Sequence, residues 1–305
     1  MSTVTLAESA KLSQDMLVQG VIENIIVVDR FFEVLPFTEI DGNALAYNRE
    51  NALGTVQFAG VTDTITAKNP ATFTKVTSSL TTLIGDAEVN GLIQATRSGI
   101  NDQRAVQIAS KAKNIGMTYR DKLVTGTGSS NQFTGLLSLA SGAQTIDAGT
   151  NGAALTLAIL DELLDQVTDK NGIVDYMLMP SRTLRSYYAL LRALGGASIG
   201  DVVTLPSGAQ VPAYRGTPIF RNDNMPIDQT HGTETAASSI LAGTLDDGSM
   251  TMGIAGMTAR DEAGIRITNI GESETKDESI TRIKFYNGLA NFSEKGLALV
   301  TGINN

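Results

Sequence analysis

The chain's one histidine, His231, stands in Gln229-Thr-His-Gly-Thr-Glu234, and imidazole is the side chain best suited to moving protons or holding a metal near neutral pH. Either task needs company: a carboxylate to orient the ring, and a nucleophile or further ligands. The segment is polar and contains glycine, so it predicts a surface loop in which His231 lacks such partners. Carboxylates make the second candidate. Glu272, Glu274, Asp277 and Glu278, with Asp261 and Glu262 upstream, could hold a divalent cation or act as an acid–base pair. EF-hand spacing is missing, and Lys276, Arg260, Arg266 and Arg282 offer partners, so a solvated, charge-paired loop is the expectation. Third, Gly126-Thr-Gly-Ser-Ser130 supplies successive amides of the kind that cradle phosphate. A phosphate loop opens a helix, whereas this one closes a helix and faces the negative end of its dipole. It reads instead as a C-cap and sharp reversal. P-loop spacing and a nucleophile elbow in a strand–turn–helix setting are both missing. With no cysteine in the chain, disulfides, thiolate metal sites and thiol redox chemistry are excluded. No catalytic, cofactor-binding or metal-ligating residue and no cofactor is assigned, and the expectation is a protein that is not an enzyme.

The elements around these residues are more telling. Val89, Leu92, Ile93, Thr96, Ile100, Ala105, Ile108, Ala112, Ile115, Tyr119 and Leu123 recur at spacings of three to five, which predicts one unbroken rod helix from about Leu83 to Val124. At about 1.5 Å per residue it would reach 50–60 Å, longer than a compact domain needs. Arg97, Arg104, Lys111, Lys113, Arg120 and Lys122 give the rod a mild positive excess over Asp86, Glu88, Asp102 and Asp121. That is compatible with packed nucleic acid and equally with a solvated helix face.

Before the rod, Leu17, Val21, Ile22, Ile25, Val28 and Phe32 predict a short helix over Leu12–Phe32 on an acidic arm, stopped by Pro36 and followed by a strand from Phe37 to Tyr47. From Asn48 to Ser79 the chain turns polar, with short alternating pieces around Val56, Phe58 and Ile65 and at Phe73 to Thr77. This predicts a long two-stranded β-loop with a bend near Asn69-Pro70. Such a hairpin is marginal in isolation and needs a neighbour's surface.

After the rod the pattern is mixed α/β. A helix carries Leu157, Leu160, Leu164 and Val167; a strand runs Val174–Met179; a second helix carries Leu184, Tyr187, Tyr188, Leu191 and Leu194, N-capped by Ser181 and closed at Gly195-Gly196. Strands are predicted at Thr217–Arg221, Ile240–Gly243, Met250–Ile254, Ile265–Thr268, Ile280–Tyr286 and Gly296–Thr301.

Composition sets the outer limits. The 305 residues are 42% hydrophobic, enough for a large core. Net charge is −9 with 23 Lys and Arg against 32 Asp and Glu, which lacks the basic footprint of a nucleic-acid reader. Aromatic content is 5% with no tryptophan, so stacking platforms for bases are not expected. No window approaches a membrane span, and the N-terminus carries no export signal.

The order of these pieces resembles the major capsid proteins of tailed bacteriophages, the Hong Kong 97-like fold. The resemblance is carried by Val34-Leu-Pro-Phe37, Ile40-Asp-Gly-Asn-Ala-Leu-Ala-Tyr47, Tyr119-Arg-Asp-Lys-Leu-Val-Thr-Gly126, Gly126-Thr-Gly-Ser-Ser-Asn-Gln-Phe-Thr-Gly-Leu136, Met179-Pro-Ser-Arg-Thr-Leu184, Gly216-Thr-Pro-Ile-Phe220 and Tyr286-Asn-Gly-Leu-Ala-Asn-Phe292. It spans nearly the whole chain and implies an α+β fold. The implied parts are an N-arm (1–47), an extended β-hairpin E-loop (48–80), the P-domain spine helix and following loop (81–134), a mixed α/β A-domain (135–264), P-domain strands (265–290) and a C-terminal strand returning to the A-domain (291–305). It implies self-assembly into pentamers and hexamers that close an icosahedral shell in a virion, built in the host cytoplasm with portal and scaffolding proteins and a decoration protein. Packaged double-stranded DNA would be contacted without sequence preference, and no membrane is involved. Met1 stands almost directly before the arm, which implies a separate scaffold or an extension already removed. Lys68 and Lys75 are the loop's only lysines, and no asparagine partner for a crosslink is identifiable. The alternatives are an encapsulin-type compartment enclosing cargo enzymes, and an α/β enzyme working through the acidic loops.

Overall fold

The structure, a computed structural model, describes residues 30–97, 102–194 and 201–304. A turn of 3-10 helix at Arg30–Glu33 leads to strands β1 (Phe37–Ile40), β2 (Ala44–Ala52), β3 (Thr72–Ser79) and β4 (Thr81–Asn90), then helices α1 (Gly91–Arg97) and α2 (Gln103–Thr125). Next come α3 (Leu136–Leu139), β5 (Thr145–Asp147), β6 (Ala153–Ala154), α4 (Leu157–Thr168), β7 (Tyr176–Met179) and α5 (Ser181–Ala193). The remainder is β: β8 (Val202–Thr204), β9 (Gln210–Tyr214), β10 (Thr217–Arg221), β11 (Gln229–His231), β12 (Glu234–Gly243), β13 (Ile254–Ala259), β14 (Ile265–Glu272), β15 (Glu278–Asn291) and β16 (Leu297–Asn304).

These strands make two large sheets and one free hairpin. The first sheet runs β1-β13-β15-β14, with β4 on the other flank of β15. The long strand β15 is its axis, paired residue by residue with β4 from Glu278↔Asn90 to Asn287↔Thr81. Helix α2 lies on this sheet and buries Ile115, Tyr119, Leu123 and Val124 against Ile283, Phe285 and Leu289. The second sheet runs β5-β16-β12-β7-β10-β9-β8. Its central strand β7 is buried at all four residues, as expected for a strand covered on both faces. Met177 and Met179 meet Leu160, Leu163, Leu164 and Val167 of α4 and Tyr187 of α5. Tyr176 and Leu178 point the other way, into the cluster that contains Phe31 and the α2 residues. One hydrophobic core therefore joins the two sheets.

Several expectations need correction. The rod does not begin at Leu83: Thr81–Asn90 is a strand, and the long helix is the 23 residues of α2, about 35 Å. In β4 the inward residues alternate, with Ala87 and Val89 buried, a period of two that happens to join the helical spacing at Val89, Leu92 and Ile93. The helix starts are marked by side-chain caps: Asn90 Oδ1 accepts the Leu92 N–H at 3.0 Å and Asp102 Oδ1 the Arg104 N–H at 3.0 Å. The single strand foreseen over Phe37–Tyr47 is broken between β1 and β2, where Gly42 takes φ +91°. Ser181 is not the cap of α5; Pro180 holds that position, and the Ser181 hydroxyl donates to Asp223. Met250–Ile254 is not a strand, since Met250 sits at φ +57° and β13 starts only at Ile254. The helix expected over Leu12–Phe32 lies, apart from its last three residues, outside the described residues, as does the Gly195-Gly196 cap.

The glycine-rich reversal after α2 depends on close backbone contact. Gly135 N–H donates to the Gly126 carbonyl at 2.9 Å, and a Cβ on Gly135 would lie 2.6 Å from Gly126 N, 2.7 Å from the Lys122 carbonyl and 2.9 Å from that of Val124. Gly135→Ala is therefore expected to cost about 1–3 kcal/mol, the range for forced overpacking. Gly142→Ala, with nothing within 4 Å of its added methyl, should leave the thermal midpoint where it is.

Candidate assembly surfaces

The residues that could do chemistry are tied to structural partners. His231 ends β11, and its Nε2 lies 2.8 Å from Asp147 Oδ1 and 3.0 Å from the Gly149 carbonyl. It is thus not the free loop histidine the sequence suggests. The ring packs on Gly302, where a Cβ would come within 2.7 Å, and the pair staples β11 to the turn after β5. Asp147 is held below the usual carboxylate range, first by the Gly149 N–H and then by His231.

The acidic group does not converge. Glu262 sits between Lys284 Nζ, 2.7 Å away, and Arg266, and the Lys284 hydrogen bond lowers its pKa. Glu278 is mostly buried, 3.9 Å from Lys276. Asp277 takes the Gly91 N–H on its backbone carbonyl at 3.0 Å. Among the described residues no group of three His, Asp or Glu side chains could hold a metal ion. The Gly126–Leu136 loop closes on itself through the Gly128 N–H to Phe133 carbonyl bond (3.3 Å) and the Thr127–Thr134 bridge. The rod's cations also serve the fold: Arg104 donates Nε and Nη2 to Thr281 Oγ1 at 3.1 and 3.0 Å. Beside it Arg282 grips Asp86 with two bonds of 2.9 and 2.8 Å, which hold Asp86 below its ordinary pKa.

What the fold leaves open is apolar surface. The β2–β3 hairpin forms a sheet of two strands, and beyond it residues 53–71 make an excursion whose side chains, all but Ala67 and Ala71, are exposed. Val56 is 94% exposed, and Phe58 and Val61 are each 107% exposed. The excursion is nonetheless shaped. Gln57 Oε1 accepts from Thr66 N–H (2.7 Å), Thr66 hydroxyl (2.8 Å) and Ala67 N–H (2.8 Å), and its Nε2 donates to the Thr64 carbonyl at 3.1 Å. Thr55 N–H reaches the Asn69 carbonyl at 3.0 Å, and the Gly60–Asp63 turn forms the apex, so Asn69-Pro70 lies at the neck and not at the bend. Gln57 has no sequence signal beyond a polar residue between Val56 and Phe58. A second open strip is β14, an edge strand whose Ile265, Ile267 and Ile270 are about half exposed. Contiguous exposed apolar surface of this kind marks contact sites. No helix of the described residues is long and apolar enough to cross a membrane.

A profile of the SU10 major capsid protein matches residues 55–200. No curated protein is significantly similar in sequence. Among solved structures, the holo-SrpI encapsulin complex from Synechococcus elongatus PCC 7942 superposes with TM-score 0.74 at 17% identity, covering 99% of this chain and 97% of that one. The Cyanophage A-1(L) capsid gives TM-score 0.73 at 14% identity over 99% and 100% of the two chains. The capsid of Myoviridae phage XM1 gives 0.65 at 14% over 99% and 100%. The full-length overlap shows the Hong Kong 97-like fold, and within it residues 55–200 are similar to the SU10 major capsid protein.

Proposed function

We propose that copies of this chain assemble as pentamers and hexamers into an icosahedral shell around double-stranded phage DNA. The single observation that supports this most is the hairpin tip, a hydrogen-bonded apolar loop that no other described residue of the chain covers. In this reading residues 1–47 are the N-arm, 48–80 the E-loop, 81–134 and 265–290 the P-domain, and 135–264 with 291–305 the A-domain. The shell belongs to the virion and is built in the host cytoplasm with portal and scaffolding proteins, with a decoration protein as a further partner. A net charge of −9 suits a wall that contacts DNA without holding it, because strong phosphate binding requires clustered cations.

Electron micrographs of purified protein should show closed particles on the order of tens of nanometres across, a size set by many domains of ordinary dimensions side by side. A protein that stays a small oligomer under all ionic conditions, with scaffold supplied, would overturn the reading. The likeness to an encapsulin supports a second one, a compartment around cargo protein. Content decides between them: nuclease-protected DNA for the phage shell, a co-purifying enzyme for the compartment.

A further inference from the structure

The hairpin meets the rest of the chain at a narrow root. Leu45, Tyr47 and Leu80 rest on the small core of Ile40, Met257, Ala290 and Phe292, and Tyr47 stands edge-on to Phe292 with ring centroids 5.1 Å apart. Polar contacts fix the angle. The Tyr47 hydroxyl donates to the Asn291 carbonyl at 2.7 Å, and Arg49 Nη2 donates to the same oxygen. Arg49 Nε reaches the Phe292 carbonyl at 3.3 Å, and Nη1 lies 2.5 Å from Glu294 Oε1. On an otherwise exposed stretch of strand, the Arg49 side chain is only 15% exposed.

Both flanks of this root are open. A cavity of about 310 Å³ separates Val76–Ser79 of β3 from Gly128 and Thr134 of the glycine-rich loop. Another, of about 710 Å³, separates Asn48–Asn51 of β2 from Met250 and Thr251. Space on either side leaves room for the hairpin to tilt about its root, where the Arg49 fork, beside the single Tyr47 hydroxyl bond, makes the most polar contacts across the pivot. From Arg49 to the apex is a lever of up to about 40 Å at roughly 3.3 Å per residue, so a tilt of about 10° would carry the tip some 7 Å.

We propose that Arg49 is a latch that sets the angle of the β2–β3 hairpin to the body, and through it the curvature at which copies of this chain meet. The second half rests on the shell reading; the latch itself does not. A guanidinium serves two carbonyls and a carboxylate at once because its donors form a rigid fork, whereas lysine offers a point charge. Lysine at this position keeps the pairing with Glu294 and loses the fork.

The absence of cysteine makes the angle measurable. Spin labels placed through Thr62→Cys at the apex and Glu162→Cys on α4, read by pulsed electron resonance on unassembled subunits, report the tip-to-body distance. Arg49→Ala and Arg49→Lys should broaden or shift that distance by roughly 5 Å or more, as the lever length implies, with the thermal midpoint little changed. In assembly, both variants should give particles of mixed diameter where wild type gives one size. An unaltered distance distribution in both variants overturns the latch. A broadened distribution with wild-type particle size overturns the link to curvature. A wild-type chain that forms no shell refutes the shell reading, and the label distances still judge the latch.

Discussion

Replacing Phe58 by aspartate is expected to abolish shell assembly while moving the subunit's melting temperature by no more than about 1 °C, because substitutions at bare surface positions rarely change stability by more than about 0.5 kcal/mol. Phe58 is 107% exposed, and among the described residues it has no packing to lose. In a contact between copies the arithmetic reverses. Burying a phenylalanine side chain supplies about 2–3 kcal/mol, and an unpaired carboxylate in the same place must be desolvated at a further cost of several kcal/mol. Every subunit of a closed shell presents the same tip, so the penalty recurs at each contact and raises the concentration needed for assembly steeply. Light scattering and electron microscopy of the variant under wild-type conditions check this. Normal particles from Phe58→Asp at the wild-type threshold would show that the tip contributes no buried contact. Phe58→Leu, which keeps the apolar surface, should assemble.

The tip's preorganisation explains why one residue can matter so much. Residues 53–71 lack a strand partner, yet the Gln57 side chain, accepting three hydrogen bonds and donating one, holds the loop closed. A loop already in its bound shape does not have to be ordered on docking, at about 0.5–1.5 kcal/mol per side chain immobilised.

How much of this was legible in the chain follows from distance along it. The strand Thr217–Arg221 was bounded correctly because Gly216 and the polar Asn222 flank a β-branched and aromatic run. Helix α4 is likewise clear from Leu157, Leu160, Leu164 and Val167 on one face, and the structure adds Thr156 as its cap. The rod was overextended because a period of two and a period of 3.6 share positions for a few residues across Val89 to Ile93, and only the caps Asn90 and Asp102 separate them. The hairpin was anticipated as uncovered, but its two organising residues were not. Arg49 acts on carbonyls 242 and 243 positions away, and Gln57 acts on a loop that has no periodicity. His231 reads as unpartnered in the sequence for the same reason: the Asp147 that orients it lies 84 residues upstream. Local pattern reports local structure, and contacts between backbone oxygens and distant side chains leave no trace in it.

Phe31→Ala tests where the fold itself is most vulnerable. Phe31 is fully buried, and its ring lies 4.8 Å from that of Tyr176, 5.7 Å from Phe220 in an edge arrangement and 6.4 Å from Phe32. Removing it should cost about 3–5 kcal/mol from lost transfer energy and the cavity left behind. At roughly 2–4 °C per kcal/mol for large domains, the midpoint should fall by about 6–20 °C. The manner of unfolding is as informative as the amount. The cluster around Phe31 draws Ile283, Phe285 and Leu289 from the first sheet and Tyr176, Leu178, Leu241 and Leu299 from the second. Those residues belong to one buried cluster with Tyr119 and Leu123 of α2, so neither sheet can shed its cover without exposing the other. Calorimetry should accordingly show a single transition that moves down as a whole in Phe31→Ala. A split into two transitions, one of them at the wild-type temperature, would mean the sheets carry independent cores and that the residues after Phe31 hold only one of them.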